Sequence, residues 1–211
     1  MDNHPTWQWH FVVTRDPTAP EMFSYAFEVQ PIGGGAVWTP FIDGSFVAAG
    51  GVRKGMGHFH MGTDALRAAQ FPVDINAKGE LLKDLDVMYW TAAFPVSVTM
   101  TLTLYPHAVD GDFVTTTIIN YHHEAEESGA GLMTFSGTDS VSGAMISVVS
   151  QWMATGRGRA DATATDGTVS GTRTECWDDS FRETYNYTPW AKAPALPETG
   201  DMSLCPVFSS P

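Results

Sequence analysis

From Val96 to Tyr105 the chain alternates apolar and hydroxyl-bearing side chains without a break: Val96, Val98, Met100, Leu102 and Leu104 against Ser97, Thr99, Thr101 and Thr103. A strand sends successive side chains to opposite faces, so this decade forms an apolar ridge backed by hydroxyls. A helix would scatter both sets around its axis. The pattern therefore requires a long antiparallel strand with one apolar and one wet face.

The same period recurs elsewhere. Trp7, Trp9, Phe11 and Val13 oppose Gln8 and His10, and Phe23, Tyr25, Phe27 and Val29 oppose Ser24, Glu28 and Gln30. Gly33-Gly34-Gly35, Gly50-Gly51, Asp110-Gly111 and Asp166-Gly167 supply tight turns between such runs. Further strands are expected over Ala36–Val47 with an interruption at Pro40, Met56–Met61, Phe113–Tyr121, Gly131–Ser136, Ala144–Ala154, Gly158–Thr165 and a last one ending near Cys176. Gly79 to Ala93 is ambiguous: Leu81, Leu82, Leu85, Met88 and Tyr89 satisfy helical spacing, while Val87 to Trp90 suits a strand, which is favoured for the second half. Thr63 is placed to cap one short helix that Pro72 would stop.

The expectation is an all-β, mainly antiparallel meander of about ten strands. A sheet that long must curl or close to hide its edges, giving a strongly curved sheet or an incompletely closed barrel; a two-sheet sandwich is the alternative. No repeat or linker interrupts residues 1–211, so a single β-rich domain is expected, with an irregular Pro-rich tail from residue 189.

Eleven basic against 24 acidic residues give a net charge of −13. That surface repels phosphate backbones and anionic membranes, which removes nucleic acid as a partner. No apolar run is long enough for a transmembrane helix. The opening Met1-Asp2-Asn3-His4-Pro5 lacks the cationic and apolar regions of a leader. Read literally this indicates the cytoplasm, although an initiating Met also remains where a leader has been replaced.

His58-Phe59-His60 is the sharpest candidate for chemistry, because two imidazoles separated by one strand residue share a face. Asp64 follows four residues later as a candidate third ligand, a set that would suit a transition metal such as Zn, Cu or Fe. The competing reading makes His58 and His60 part of a solvated strand face. His122-His123-Glu124 reads as an exposed turn, Asp110-Gly111-Asp112 as a turn without a calcium cage, and Asp178-Asp179 as a capped turn beside Arg182. No Gly-x-Ser-x-Gly elbow, dinucleotide fingerprint or phosphate loop is present. The balance is towards a protein that is not an enzyme.

Cys176 and Cys205 are either two separate reduced thiols or a disulfide whose loop of ~30 residues would contribute about 3 kcal/mol. The stretch from Trp152 to Ala162, with Thr174-Glu175-Cys176-Trp177 and Phe181 after it, resembles the C-terminal part of a family of bacterial lipoprotein-like secreted proteins without assigned function. Gly57-His58-Phe59-His60-Met61 and Trp9-His10-Phe11 are similar to earlier stretches of that group. The resemblance implies pairing of Cys176 with Cys205 and an envelope or extracellular address with a leader missing here. It brings no catalytic residues.

The functional expectation is a non-enzymatic β-rich module of the cell envelope or exterior. Its concave apolar sheet would take a small apolar or lipid-like ligand, and it would carry no cofactor. A metal-binding protein or metal-dependent enzyme centred on His58 and His60 is the first alternative, and a structural protein that self-associates through sheet edges is the second.

Overall fold

A computed structural model describes residues 6–33, 37–51, 53–71, 81–105, 117–139, 143–166, 169–188 and 198–208. They form one antiparallel sheet of 13 strands in strictly sequential order, the meander expected. No described pairing joins its first strand to its last, so the sheet is not closed by hydrogen bonds.

The first strands are β1 (Trp7–Arg15), β2 (Met22–Pro31), β3 (Thr39–Ala48) and β4 (Gly55–Gly62). Helix α1 (Asp64–Ala68), β5 (Leu81–Trp90) and β6 (Val96–Tyr105) follow. Then come β7 (Thr117–Ala125), β8 (Gly131–Asp139), β9 (Met145–Trp152), β10 (Gly158–Thr165) and β11 (Ser170–Trp177). Two short strands, β12 (Glu183–Tyr187) and β13 (Thr199–Gly200), and a 3-10 turn at Met202–Leu204 end the order. The chain packs as two compact units, Met1–Ala93 with Met100–Val114 and Phe94–Thr99 with Thr115–Pro211, so β6 contributes to both.

In the first unit, Phe11, Phe27, Ile42, Met61 and Leu85 make one cross-strand row from β1 to β5. Alternation from that row puts Trp9, Tyr25, Phe46, Phe59 and Tyr89 on the same apolar face. The opposite face carries His10, Glu28, Asp43, His58, His60, Asp84 and Asp86. Pro40 sits where expected, at an interruption: the β2–β3 register shifts there, leaving Phe41 as the extra residue of a bulge. Leu81–Trp90 is strand throughout, which settles the ambiguity in that segment.

Helix α1 spans only five residues. Thr63 does not cap it through its side chain; the hydroxyl donates to the Leu82 carbonyl and is buried there. The helix stops because Gln70 takes φ 60° while Gln70 N–H and Phe71 N–H return to the Arg67 and Leu66 carbonyls at 3.0 and 2.9 Å. That is a Schellman closure made with Gln in place of the usual Gly. It seats Phe71 edge-on against Trp7 and Trp9, at centroid distances of 4.9 and 5.2 Å.

In the second unit, β7 continues to Ala125, so His122, His123 and Glu124 lie in a strand rather than the expected turn. Within the expected Pro-rich tail, the described residues 198–208 include a short strand and a 3-10 turn. Cys176 and Cys205 form a disulfide that brings 198–208 back to β12, and Arg157 donates to the Leu204 carbonyl beside it. The expected turns at Gly34-Gly35, Pro72, Asp110-Gly111-Asp112 and Gly167, and the first residues of the Phe113 strand, lie outside the described residues.

The core is thin. Among described apolar residues, Val29 and Leu66 are buried in the first unit and Cys176 and Tyr185 in the second. None of the ridge residues from Val96 to Leu104 is fully buried. Part of the cover comes from rings laid over glycines. In the row Gly131–Trp152–Gly158–Trp177, each indole leans over the glycine of the preceding strand, and the indole N–H groups donate to the Gly129 and Gly156 carbonyls at 3.0 and 2.8 Å. A Cβ built on Gly158 would stand 2.2 Å from the Trp177 ring and 2.7 Å from the Gln151 carbonyl oxygen. Replacing Gly158 by Ala should therefore destabilise the protein by about 1–3 kcal/mol, read as a lower midpoint in urea with an unchanged slope.

Candidate functional site

The polar face of β3–β5 brings together groups that are far apart in the sequence. His60 on β4 stands directly across from Asp43 on β3 and from Asp86 on β5. Asp84 and His58 lie two residues along β5 and β4 on the same face. His60 Nδ1 lies 3.1 Å from an Asp43 oxygen and Nε2 lies 2.7 Å from Asp84, while His58 Nε2 lies 3.0 Å from Asp86. The two imidazoles are near-parallel, 6.5 Å apart.

Only a doubly protonated ring donates to both carboxylates of His60 at once. Burial opposes that charge, but the hydrogen bonds to Asp43 and Asp84 and the charge of both outweigh it, so the His60 pKa rises above its ordinary value. One ligand atom each from His60, Asp84 and Asp86 lies within 4.8 Å of the others. Among the described residues, no lysine or arginine forms an ion pair with Asp43, Asp84 or Asp86.

Asp64 stands at the rim. It lines, with Asp43, His60 and Asp84, a hollow of about 370 Å³. Its carboxylate, however, accepts the Tyr105 hydroxyl at 3.2 Å and faces Arg67 at 4.0 Å. The three carboxylates that do meet the imidazoles, Asp43, Asp84 and Asp86, were not among the residues singled out from the sequence. An Asp-x-Asp pair in the strand following a His-x-His strand was the available signal, and it needed β5 to be recognised as a strand.

Asp178, Asp179, His122 and His123, among the described residues, make local contacts of their own. Asp178 accepts the backbone N–H groups of Arg182 and Ser180 at 3.0 and 2.8 Å, which hold its pKa low as they close the turn. Asp179 accepts the Thr155 hydroxyl at 2.8 Å. His122 and His123 point apart, one 3.1 Å from the Thr99 hydroxyl and the other stacked on Trp152.

A larger hollow, about 720 Å³, opens at the ends of β8–β11. Its floor is the cross-strand row Gly137–Ile146–Ala164–Gly171, in which three of four side chains are small. Val169, 63% exposed, alternates to the same face as that row, whereas Met145, 52% exposed, and the lining Ser and Thr residues belong to the flanking rows, whose side chains alternate to the other face. No helix among the described residues is long and apolar enough to cross a membrane. No family model, curated protein or solved structure matches the chain.

His60 should titrate above its usual range of about 6.5 when followed by NMR. Asp43→Asn and Asp84→Asn should each bring it down. Since the folded pKa is the higher one, the stabilisation is complete below the unfolded value and fades as pH rises through the folded pKa. An unshifted His60 in the wild-type protein would contradict this reading.

Proposed function

We propose that this chain is a non-enzymatic β-rich binding module that works outside the cytoplasm and takes a small apolar or lipid-like ligand against its sheet. The observation that carries the reading is the hollow floored by Gly137, Ile146, Ala164 and Gly171. Its volume of about 720 Å³ falls within the roughly 300–1,000 Å³ usual for small-molecule pockets. Small apolar residues in that row leave room for the hydrocarbon body of a ligand. The net charge of −13 favours a neutral ligand over a fatty-acid anion.

The Cys176–Cys205 disulfide supports an extracellular or cell-envelope setting, because such bonds persist in oxidising compartments. The resemblance to secreted lipoprotein-like proteins points the same way. Among the described residues, those lining the hollow include no histidine, carboxylate or cysteine.

Native mass spectra of the purified protein, set beside denaturing spectra, should show an excess mass that denaturation releases. The neutral fluorophore N-phenyl-1-naphthylamine should bind saturably. Ala164→Trp, which fills the floor, should weaken that binding tenfold or more, a change of about 1.4 kcal/mol. Binding that survives Ala164→Trp unchanged, or no saturable binding by the folded wild-type protein, would overturn the proposal.

A further inference from the structure

The polar face of the first unit supports a second site, independent of the apolar hollow. We infer that His60, Asp84 and Asp86 bind a divalent first-row transition-metal ion, with Asp43 orienting the His60 ring from behind.

The geometry carries this in three steps. A borderline metal sits about 2.0–2.2 Å from imidazole nitrogen or carboxylate oxygen, which in a tetrahedral site puts donor atoms about 3.3–3.6 Å apart. The ligand atoms of His60, Asp84 and Asp86 already lie within 4.8 Å of one another, with His60 Nε2 at 2.7 Å from Asp84, so small side-chain rotations suffice. All three belong to adjacent strands held in register, a more rigid mount than a loop.

Next, the ring is oriented as metal-bound histidines are. Asp43 lies 3.1 Å from Nδ1, on the side away from Asp84. A carboxylate accepting from one ring nitrogen fixes the tautomer that presents the other nitrogen to a metal. Asp43 comes from a different strand, across β4 from the two ligating carboxylates.

Finally, the composition of the cluster selects the ion. Nitrogen and carboxylate donors together favour Zn, Mn, Fe, Co or Ni over the all-oxygen preference of Ca and Mg, and the absence of thiolate disfavours Cu(I). Asp84 and Asp86 converge with no lysine or arginine paired to them among the described residues, so a cation relieves their mutual repulsion. The adjoining hollow of about 370 Å³ leaves room for water or a further ligand on the ion.

Zn²⁺ titrated into chelator-treated, intact protein should bind with one-to-one stoichiometry by calorimetry. His60→Ala and Asp84→Asn should each weaken binding at least about tenfold, and Asp43→Asn by about tenfold or more through loss of ring orientation. Glu28→Gln, which alters the separate His10–Glu28 pair, should leave the affinity unchanged. A measurement on the wild-type protein covers the case of variants that do not fold. Substoichiometric Mn²⁺ should broaden NMR signals of residues 58–60 and 84–86 before those of His10 and His122. No Zn²⁺ binding, affinity unaffected by the folded variants, or broadening that begins elsewhere would overturn the assignment.

Discussion

A ring packed against a glycine of the neighbouring strand is the contact on which both units lean. One helix of five residues is the only α-helix among those described, and it cannot cover thirteen strands. The sheet therefore covers itself. Tyr25 lies over Gly44, Phe46 over Gly55 and Tyr89 over Gly57 in the first unit; Trp152 lies over Gly131 and Trp177 over Gly158 in the second. Each pair removes aromatic area from water without a second layer, and the missing Cβ is what lets the ring approach. Tyr25 adds a hydrogen bond, donating across β3 to the His58 carbonyl at 3.0 Å, which ties the aromatic face to the strand that carries the histidines. Where the cross-strand row has small residues but no ring to cover them, at Gly137, Ala164 and Gly171, a hollow is left. The proposed ligand site and the packing of the sheet thus follow from one rule, applied with and without the aromatic partner.

Alternation also explains how one hairpin serves two purposes. On β4 and β5, Phe59, Met61, Leu85 and Val87 face the aromatic side, while His58, His60, Asp84 and Asp86 face the other. A one-residue slip of either strand would exchange the two sets, burying carboxylates and exposing the apolar row. The bulge at Phe41 uses the same parity. The extra residue inverts the facing of the chain before it and brings Trp38 to the polar face, 3.7 Å from His10 between ring centroids. His10 in turn lies 2.6 Å from Glu28 directly opposite. A histidine–carboxylate belt therefore crosses β1 to β5, and its densest point is where β4 is flanked by acids on both sides.

Local pattern made most of the strands legible, because a period of two survives in any antiparallel sheet with distinct faces. Its failures were physical. Leu81, Leu82, Leu85 and Met88 satisfy helical and strand spacing alike, and only pairing with β4 decides between them. That ambiguity concealed Asp84 and Asp86 as neighbours of His60, so Asp64, close in sequence, stood in their place. Thr63 has the side chain of a helix cap but finds a stronger partner in the Leu82 carbonyl. β12 and β13 have five and two residues and little alternation; the disulfide, closing a separation of 29 residues, holds their segment against β11. The glycines under the rings were visible as glycines, but nothing local distinguishes a covered glycine from one that serves a turn.

The two ends of the strand order are built differently, and this bears on how each edge could meet another strand. β13 is two residues long and is followed by a 3-10 turn tied back through Cys205, so little backbone is left for another strand to pair with. β1 has nine residues, Trp9, Phe11, Val12 and Val13 among them exposed, with no proline, lysine or bulge to blunt it. Those devices are what edge strands commonly use against pairing with other chains. What remains is charge: −13 spread over 211 residues makes copies repel one another before edges can align. Salt shortens the reach of that repulsion to about 8 Å at physiological ionic strength. Within β1 itself no strand device opposes such pairing, so the net charge is the feature of the sequence that acts against it, and the same acidity draws cations towards the Asp43, Asp84 and Asp86 face.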